Sequence, residues 1–159
     1  MHIVILVVVA FFAGILLHRH LIRRKAESSA KPLPLSSYEA DVTAASFDSM
    51  VLQTSSETPV LVDFHATWCP PCQYLGPLLA GMAKKYDGRF LLGKVDVDAE
   101  PSLSETYQIK SMPTVILFRN GSDVARFVGA RAEHAVRFFL AQHGVQPPEE
   151  PTAQDSQSA

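Results

Sequence analysis

Val60-Leu61-Val62-Asp63-Phe64-His65-Ala66-Thr67-Trp68-Cys69-Pro70-Pro71-Cys72 joins an apolar run to the only two cysteines of the 159-residue chain. An almost unbroken apolar run of this length is expected of a central strand covered on both faces. The residues that follow, Gln73-Tyr74-Leu75-Gly76-Pro77-Leu78-Leu79, read as a helix, and Pro71 suits its first turn, where no N–H partner is lost. Two thiols separated by two residues can close a small disulfide ring and hand that disulfide to another protein. A CxxC between a buried strand and a helix is a redox site more often than a metal site. Zinc needs about four ligands, and no second CxxC accompanies this one, so no metal is expected.

Around this centre the sequence predicts alternating strands and helices. Ser46 is expected to cap a short helix through Leu52. A helix from Cys69 to Tyr86 ends at Asp87-Gly88, Phe90 to Val97 is a strand, and Ser102 to Tyr107 is a short helix. Strands Thr114 to Arg119 and Val124 to Val128 are joined through Asn120-Gly121, a strong hairpin signal. Arg131 to His143 is a last amphipathic helix, stopped by Gly144. The order β-α-β-α-β-α-β-β-α gives an α/β fold with a central mixed sheet flanked by helices. Two cysteines cannot make a disulfide framework, so stability must come from the core, which a hydrophobic content of 47% can supply.

A formal net charge of −2 argues against nucleic acid as a partner. That charge is unevenly placed: through Pro34 the chain carries Arg19, Arg23, Arg24, Lys25 and Lys31 against Glu27 alone. Ile3 to Leu17 is almost purely aliphatic and aromatic. As a helix it spans about 22 Å, short of the roughly 30 Å hydrocarbon core, unless Leu21 and Ile22 extend it while Arg19 snorkels. Residues 1–22 are therefore read as a single membrane anchor, with a cleaved signal or an organelle presequence as alternatives. The basic residues follow the apolar run, which points to a domain facing the cytosol, as in signal-anchored proteins of the mitochondrial outer membrane. Residues 23–40 read as a basic, then Ser/Pro-rich linker, 41–144 as the globular domain, and 145–159 as a disordered tail.

With the elements placed, the chain resembles the thioredoxin family over roughly Val42 to His143. The resemblance rests on Val62-Asp63-Phe64, Trp68-Cys69-Pro70-Pro71-Cys72, Pro77, Lys94-Val95-Asp96-Val97-Asp98, Met112-Pro113-Thr114, Phe118-Arg119-Asn120-Gly121 and Val128-Gly129-Ala130. Two departures stand out: Pro70-Pro71 replaces the usual Gly-Pro between the cysteines, and His65 replaces a frequent aromatic residue. The resemblance implies a thioredoxin fold and a protein-disulfide reductase without a cofactor of its own. It also implies protein disulfides and a separate reductase or dithiol donor as partners.

Site chemistry follows residue by residue. At a helix start, unpaired N–H groups and the helix dipole favour a thiolate, making Cys69 the attacking nucleophile and Cys72 the resolving thiol. Asp63, a carboxylate in a buried strand, should have a raised pKa, and the family's matching acid shuttles the proton of the resolving thiol. Lys94 matches the lysine near that acid, or is a solvated strand-end lysine. Pro113 matches the family's cis-proline, which frees the backbone of Met112 to pair with substrate. Trp68, Pro70 and Pro71 border the substrate side. Gly129 is either backbone room near the site or a structural turn. His65 either tunes the local field or is an ordinary strand-end histidine. The absence of histidine between the cysteines leans the disulfide toward a reducing role. An exported oxidase or isomerase, and a redox-inactive binding module, stand as alternatives.

Overall fold

In the computed structural model, residues 38–149 are described. The expected anchor at 1–22, nearly all of the linker and the tail beyond Glu149 lie outside the described residues. Among the described residues, no helix is long and apolar enough to cross a membrane.

The elements are β1 (Glu39–Asp41), α1 (Ala44–Phe47), β2 (Val60–His65), α2 (Pro70–Lys85), β3 (Leu91–Asp96), α3 (Pro101–Thr106), β4 (Thr114–Arg119), β5 (Ser122–Val128) and α4 (Glu133–Gln142). After α1 the chain continues through a π-helical turn (Asp48–Gln53) and a 3₁₀ turn (Thr54–Ser56). One five-stranded sheet has the order β1-β3-β2-β4-β5. β1 and β2 run parallel to β3, β4 is antiparallel to β2 and β5 antiparallel to β4. The mixed sheet read from the sequence is the one observed, with β2 at its centre.

Strand alternation divides the core between the two faces of the sheet. Leu61, Leu92, Val115, Leu117 and Phe127 pack against Leu75, Leu79 and Met82 of α2 and against Val136, Phe139 and Leu140 of α4. Val60, Val62, Phe64, Val95, Ile116 and Phe118 pack on the other face with Phe47, Val51 and Leu103. Each fully buried side chain of this kind contributes on the order of 1.5–3 kcal/mol. Asp63 falls on the same face as Leu61, beneath α2. Asn120 and Gly121 both adopt positive φ, 51° and 75°, as a two-residue hairpin turn requires. The turn is pinned by Gly121 N–H donating to Ser55 Oγ at 2.9 Å.

Three expectations are corrected. The spacer ends sooner than predicted, because Glu39 and Ala40 pair with Leu92 and Gly93 as part of β1; a three-residue edge strand is too short to show alternation. The cap of α1 is Thr43, not Ser46. Ser46 is the third helical residue, and its Oγ accepts the Thr43 N–H at 3.0 Å, the reciprocal half of a capping box. Val145 does not belong to the tail: it is buried in the core. Gly144, at φ 71°, turns the chain so that Val145 N–H reaches Leu140 O at 2.9 Å and Gly144 N–H reaches Ala141 O at 3.0 Å. This is a Schellman ending, whose apolar residue after the glycine folds back onto the helix.

Candidate active site

The topology brings four strand termini to one edge of the sheet: the carboxyl ends of β2, β3 and β5, and the start of β4. Cys69 is the N-cap of α2, with extended backbone (φ −89°, ψ 107°), and Pro70 and Pro71 fill the first turn. Its carbonyl accepts the N–H groups of Cys72 at 3.1 Å and Gln73 at 3.2 Å. Cys69 and Cys72 form a disulfide with Cα atoms 5.3 Å apart. Both are buried and pack with Ala66, while Val97 and Met112 close over the group. Reduced, the Cys69 sulfur lies at the positive end of a 16-residue helix, which favours the anion.

Asp63 is 1% exposed. No hydrogen-bond partner reaches its Oδ1. Burial pushes its carboxyl up to about 7, and the Lys94 charge alongside opposes that rise. Gly76 brings the α2 backbone close overhead: a Cβ there would lie 4.0 Å from Asp63 Oδ2. A cavity of about 140 Å³ separates α2 from the sheet here, and both Asp63 and Cys72 line it. The acid thus shares this mostly apolar space with the sulfur of Cys72.

Lys94 is not at the strand end but within β3, in register with Asp63 on one side and Asp41 on the other. Its ammonium lies 3.4 Å from Asp41 Oδ1 and 3.8 Å from Glu39 Oε2. It therefore acts on Asp63 through its charge while pairing with β1.

Opposite α2, the Met112–Pro113 peptide is cis, and Pro113 is buried with Met112 half-buried before it. Thr114 Oγ1 donates to Ser111 O at 2.7 Å, closing the loop. Gly129 N–H donates to Pro113 O at 2.8 Å, and Gly129 adopts φ 85°. It thus extends the β4–β5 pairing into the proline loop. Trp68 is 63% exposed, yet its Nε1–H donates to Asp98 Oδ2 at 2.7 Å.

Sequence reasoning missed Asp98, Ala66, Val97 and Gly76. Asp98 stands among the quoted motif residues, but nothing in a linear pattern joins it to an indole 30 positions earlier. A groove of about 280 Å³ also went unseen, because it forms only where α3 meets the segment before Pro113; Val97 and Met112 connect it to the disulfide. Among the described residues, no group of three or more His, Cys, Asp and Glu side chains is placed to hold a metal ion.

Fold and site define a class: an α/β protein whose central strand delivers a CxxC disulfide to a helix N-terminus above a buried acid. Comparison with known proteins narrows it. A family model described as thioredoxin matches residues 39–142. Mouse mitochondrial thioredoxin is 45% identical over 86 residues, 54% of this chain and 52% of that protein. Thioredoxin of Mycobacterium tuberculosis H37Rv is 45% identical over 95 residues, 60% of this chain and 80% of that protein. A bifunctional thioredoxin reductase/thioredoxin of Mycobacterium leprae is 45% identical over 96 residues, 60% of this chain and 20% of that protein. This chain belongs to the thioredoxin family. It spans about half the length of the mitochondrial relatives it matches.

Proposed function

We propose that the chain is a thiol–disulfide oxidoreductase that reduces protein disulfides through Cys69 and Cys72. The observation that carries this is the Cys69–Cys72 disulfide at the head of α2, with Asp63 and Cys72 on one cavity. The Cys69 thiolate attacks a substrate disulfide, forming a mixed disulfide and expelling one substrate thiolate. Asp63 takes the proton of Cys72, whose sulfur attacks Cys69 and expels the second thiolate. Two electrons pass from the dithiol to the substrate, and the chain is left in the disulfide form. Met112, set by the cis bond to Pro113, offers backbone for strand-like pairing, Trp68, Pro70 and Pro71 border the contact, and the adjoining groove accepts a substrate side chain. Gly129 braces the proline loop, and Lys94 modulates Asp63.

Insulin reduction with dithiothreitol tests the activity. The full chain should accelerate precipitation of the insulin B chain, and Cys69→Ser should abolish the effect. Cys72→Ser should trap substrates on Cys69 in cells. Acceleration no greater than dithiothreitol alone would leave only a redox-inactive binding module.

The electron donor is a separate reductase or dithiol. Support comes from the Mycobacterium leprae relative, whose name joins a thioredoxin reductase to a thioredoxin. Residues 1–22 anchor the chain and 23–38 tether a domain running from Glu39 to Val145. The domain faces the cytosol, with the mitochondrial outer membrane as the site; the apolar run followed by basic residues supports this. Protease added to intact organelles should remove the domain. Protection that is lost only in detergent would sink this orientation and favour an exported or internal domain.

A further inference from the structure

Asp63 can accept the proton of Cys72 only if it can also dispose of it, and at 1% exposure it has no direct route to solvent. The cavity above it is bordered by His65, Thr67, Cys72, Gln73 and Lys94 as well as by Asp63. Lys94 cannot receive a proton there while its ammonium is paired with Asp41 and Glu39. Gln73 has an amide that does not titrate, and its Nε2 donates to Thr67 O at 2.9 Å. Thr67 offers only a neutral hydroxyl. His65 differs from all of these. It lies two residues beyond Asp63 on β2, so both side chains leave the same face of the strand, with Cα atoms about 6.6 Å apart along the strand. It borders the same cavity and is partly exposed. Imidazole can accept at one nitrogen while donating at the other. The cavity wall is mostly apolar, but Asp63 and His65 both border it with Thr67 and Gln73 between α2 and the sheet, and its volume of about 140 Å³ has room for water to span the gap between these polar groups.

We propose that His65 passes the proton of the resolving thiol between Asp63 and solvent, across the cavity they share. This rests on the disulfide-exchange reading above. In the resolving step the Cys72 S–H bond breaks and the Cys69–Cys72 bond forms as the bond from Cys69 to substrate sulfur breaks. The proton goes to the Asp63 carboxylate, then to the His65 imidazole, then to solvent, which protonates the departing thiolate. The relay moves no electrons and needs no further reactant. Charged or titratable groups facing His65 are Asp63 on β2, Lys94 and Asp96 on β3, and Cys72 on α2; Glu39 and Asp41 of β1 act through Lys94.

Stopped-flow mixing of the reduced full-length chain with dithionitrobenzoate separates the steps: Cys69 attack releases the first thionitrobenzoate, Cys72 resolution the second. His65→Gln should slow the second release by about tenfold, a part of what a general acid–base group contributes, flatten its pH profile and leave the first release unchanged. His65→Ala should behave alike and be rescued by added imidazole. In an Asp63→Asn background, His65→Gln should cost nothing further. An unchanged second release in both variants, an independent effect without Asp63, or no rescue by imidazole overturns the relay. If the wild-type chain reduces insulin, such a result overturns the relay alone; if it does not, the oxidoreductase reading falls and the relay with it.

Discussion

In the proposed exchange Asp63 supplies the proton handling that two cysteines lack, and its environment sets its protonation. Removing a carboxylate from water disfavours its charged form, and Asp63 is held up at about 7 chiefly for that reason. Near neutrality it therefore exists in both forms and can take a proton from Cys72 or return one. Asp63→Asn should slow resolution of the mixed disulfide by roughly 10²-fold, at the lower end of what a general acid–base group supplies, with attack by Cys69 unaffected. Equal rates for the second thionitrobenzoate release in variant and wild type would refute this. Asp63 was legible from sequence because one acid interrupts an otherwise apolar run. Its cavity was not, because Gly76 and Lys94 reach it from elements separately placed in the chain.

At the scale of elements, the end of β5 steadies the cis-proline loop beside the disulfide. A side chain at Gly129 would meet nothing within 4 Å, so space is not the obstacle; its φ of 85° is. Gly129→Ala should cost about 1–2 kcal/mol from the left-handed conformation alone, read as a lower urea midpoint with unchanged slope. Insulin reduction should fall as well, since the Gly129 N–H holds the Pro113 carbonyl. The long elements were legible from periodicity: Thr114–Arg119 was placed to the residue. What escaped was short or reciprocal. β1 has three residues paired to a single neighbour, the Thr43 cap works jointly with Ser46, and Val145 is apolar but lies beyond a helix-stopping glycine.

For the whole molecule, the price of the buried acid appears in stability. Asp63 has a folded value of about 7 against an ordinary 3.8, so between these pH values the folded state binds more protons than the unfolded one. Stability should therefore be greatest below about pH 4 as far as this group is concerned, and fall as pH rises toward 7, by on the order of 4 kcal/mol in all. Asp63→Asn should remove that slope and stabilise the oxidised protein above pH 7, while changing little at pH 4. Denaturant midpoints for both proteins across this range give the measurement, and parallel curves would contradict the assignment. The direction of the strands has a separate consequence. β1 runs the same way as β2, so the chain enters the domain toward the pole opposite Cys69, with Glu39 level with Leu61, about 13 Å before the end of β2. It leaves there too: Gly144, just past α4, sits against the Arg119 guanidinium at the far end of β4. Any handle coupled before Glu39 or after Val145, whether a bead, a tag or a fused protein, grips the domain from behind and leaves the sulfurs facing whatever approaches.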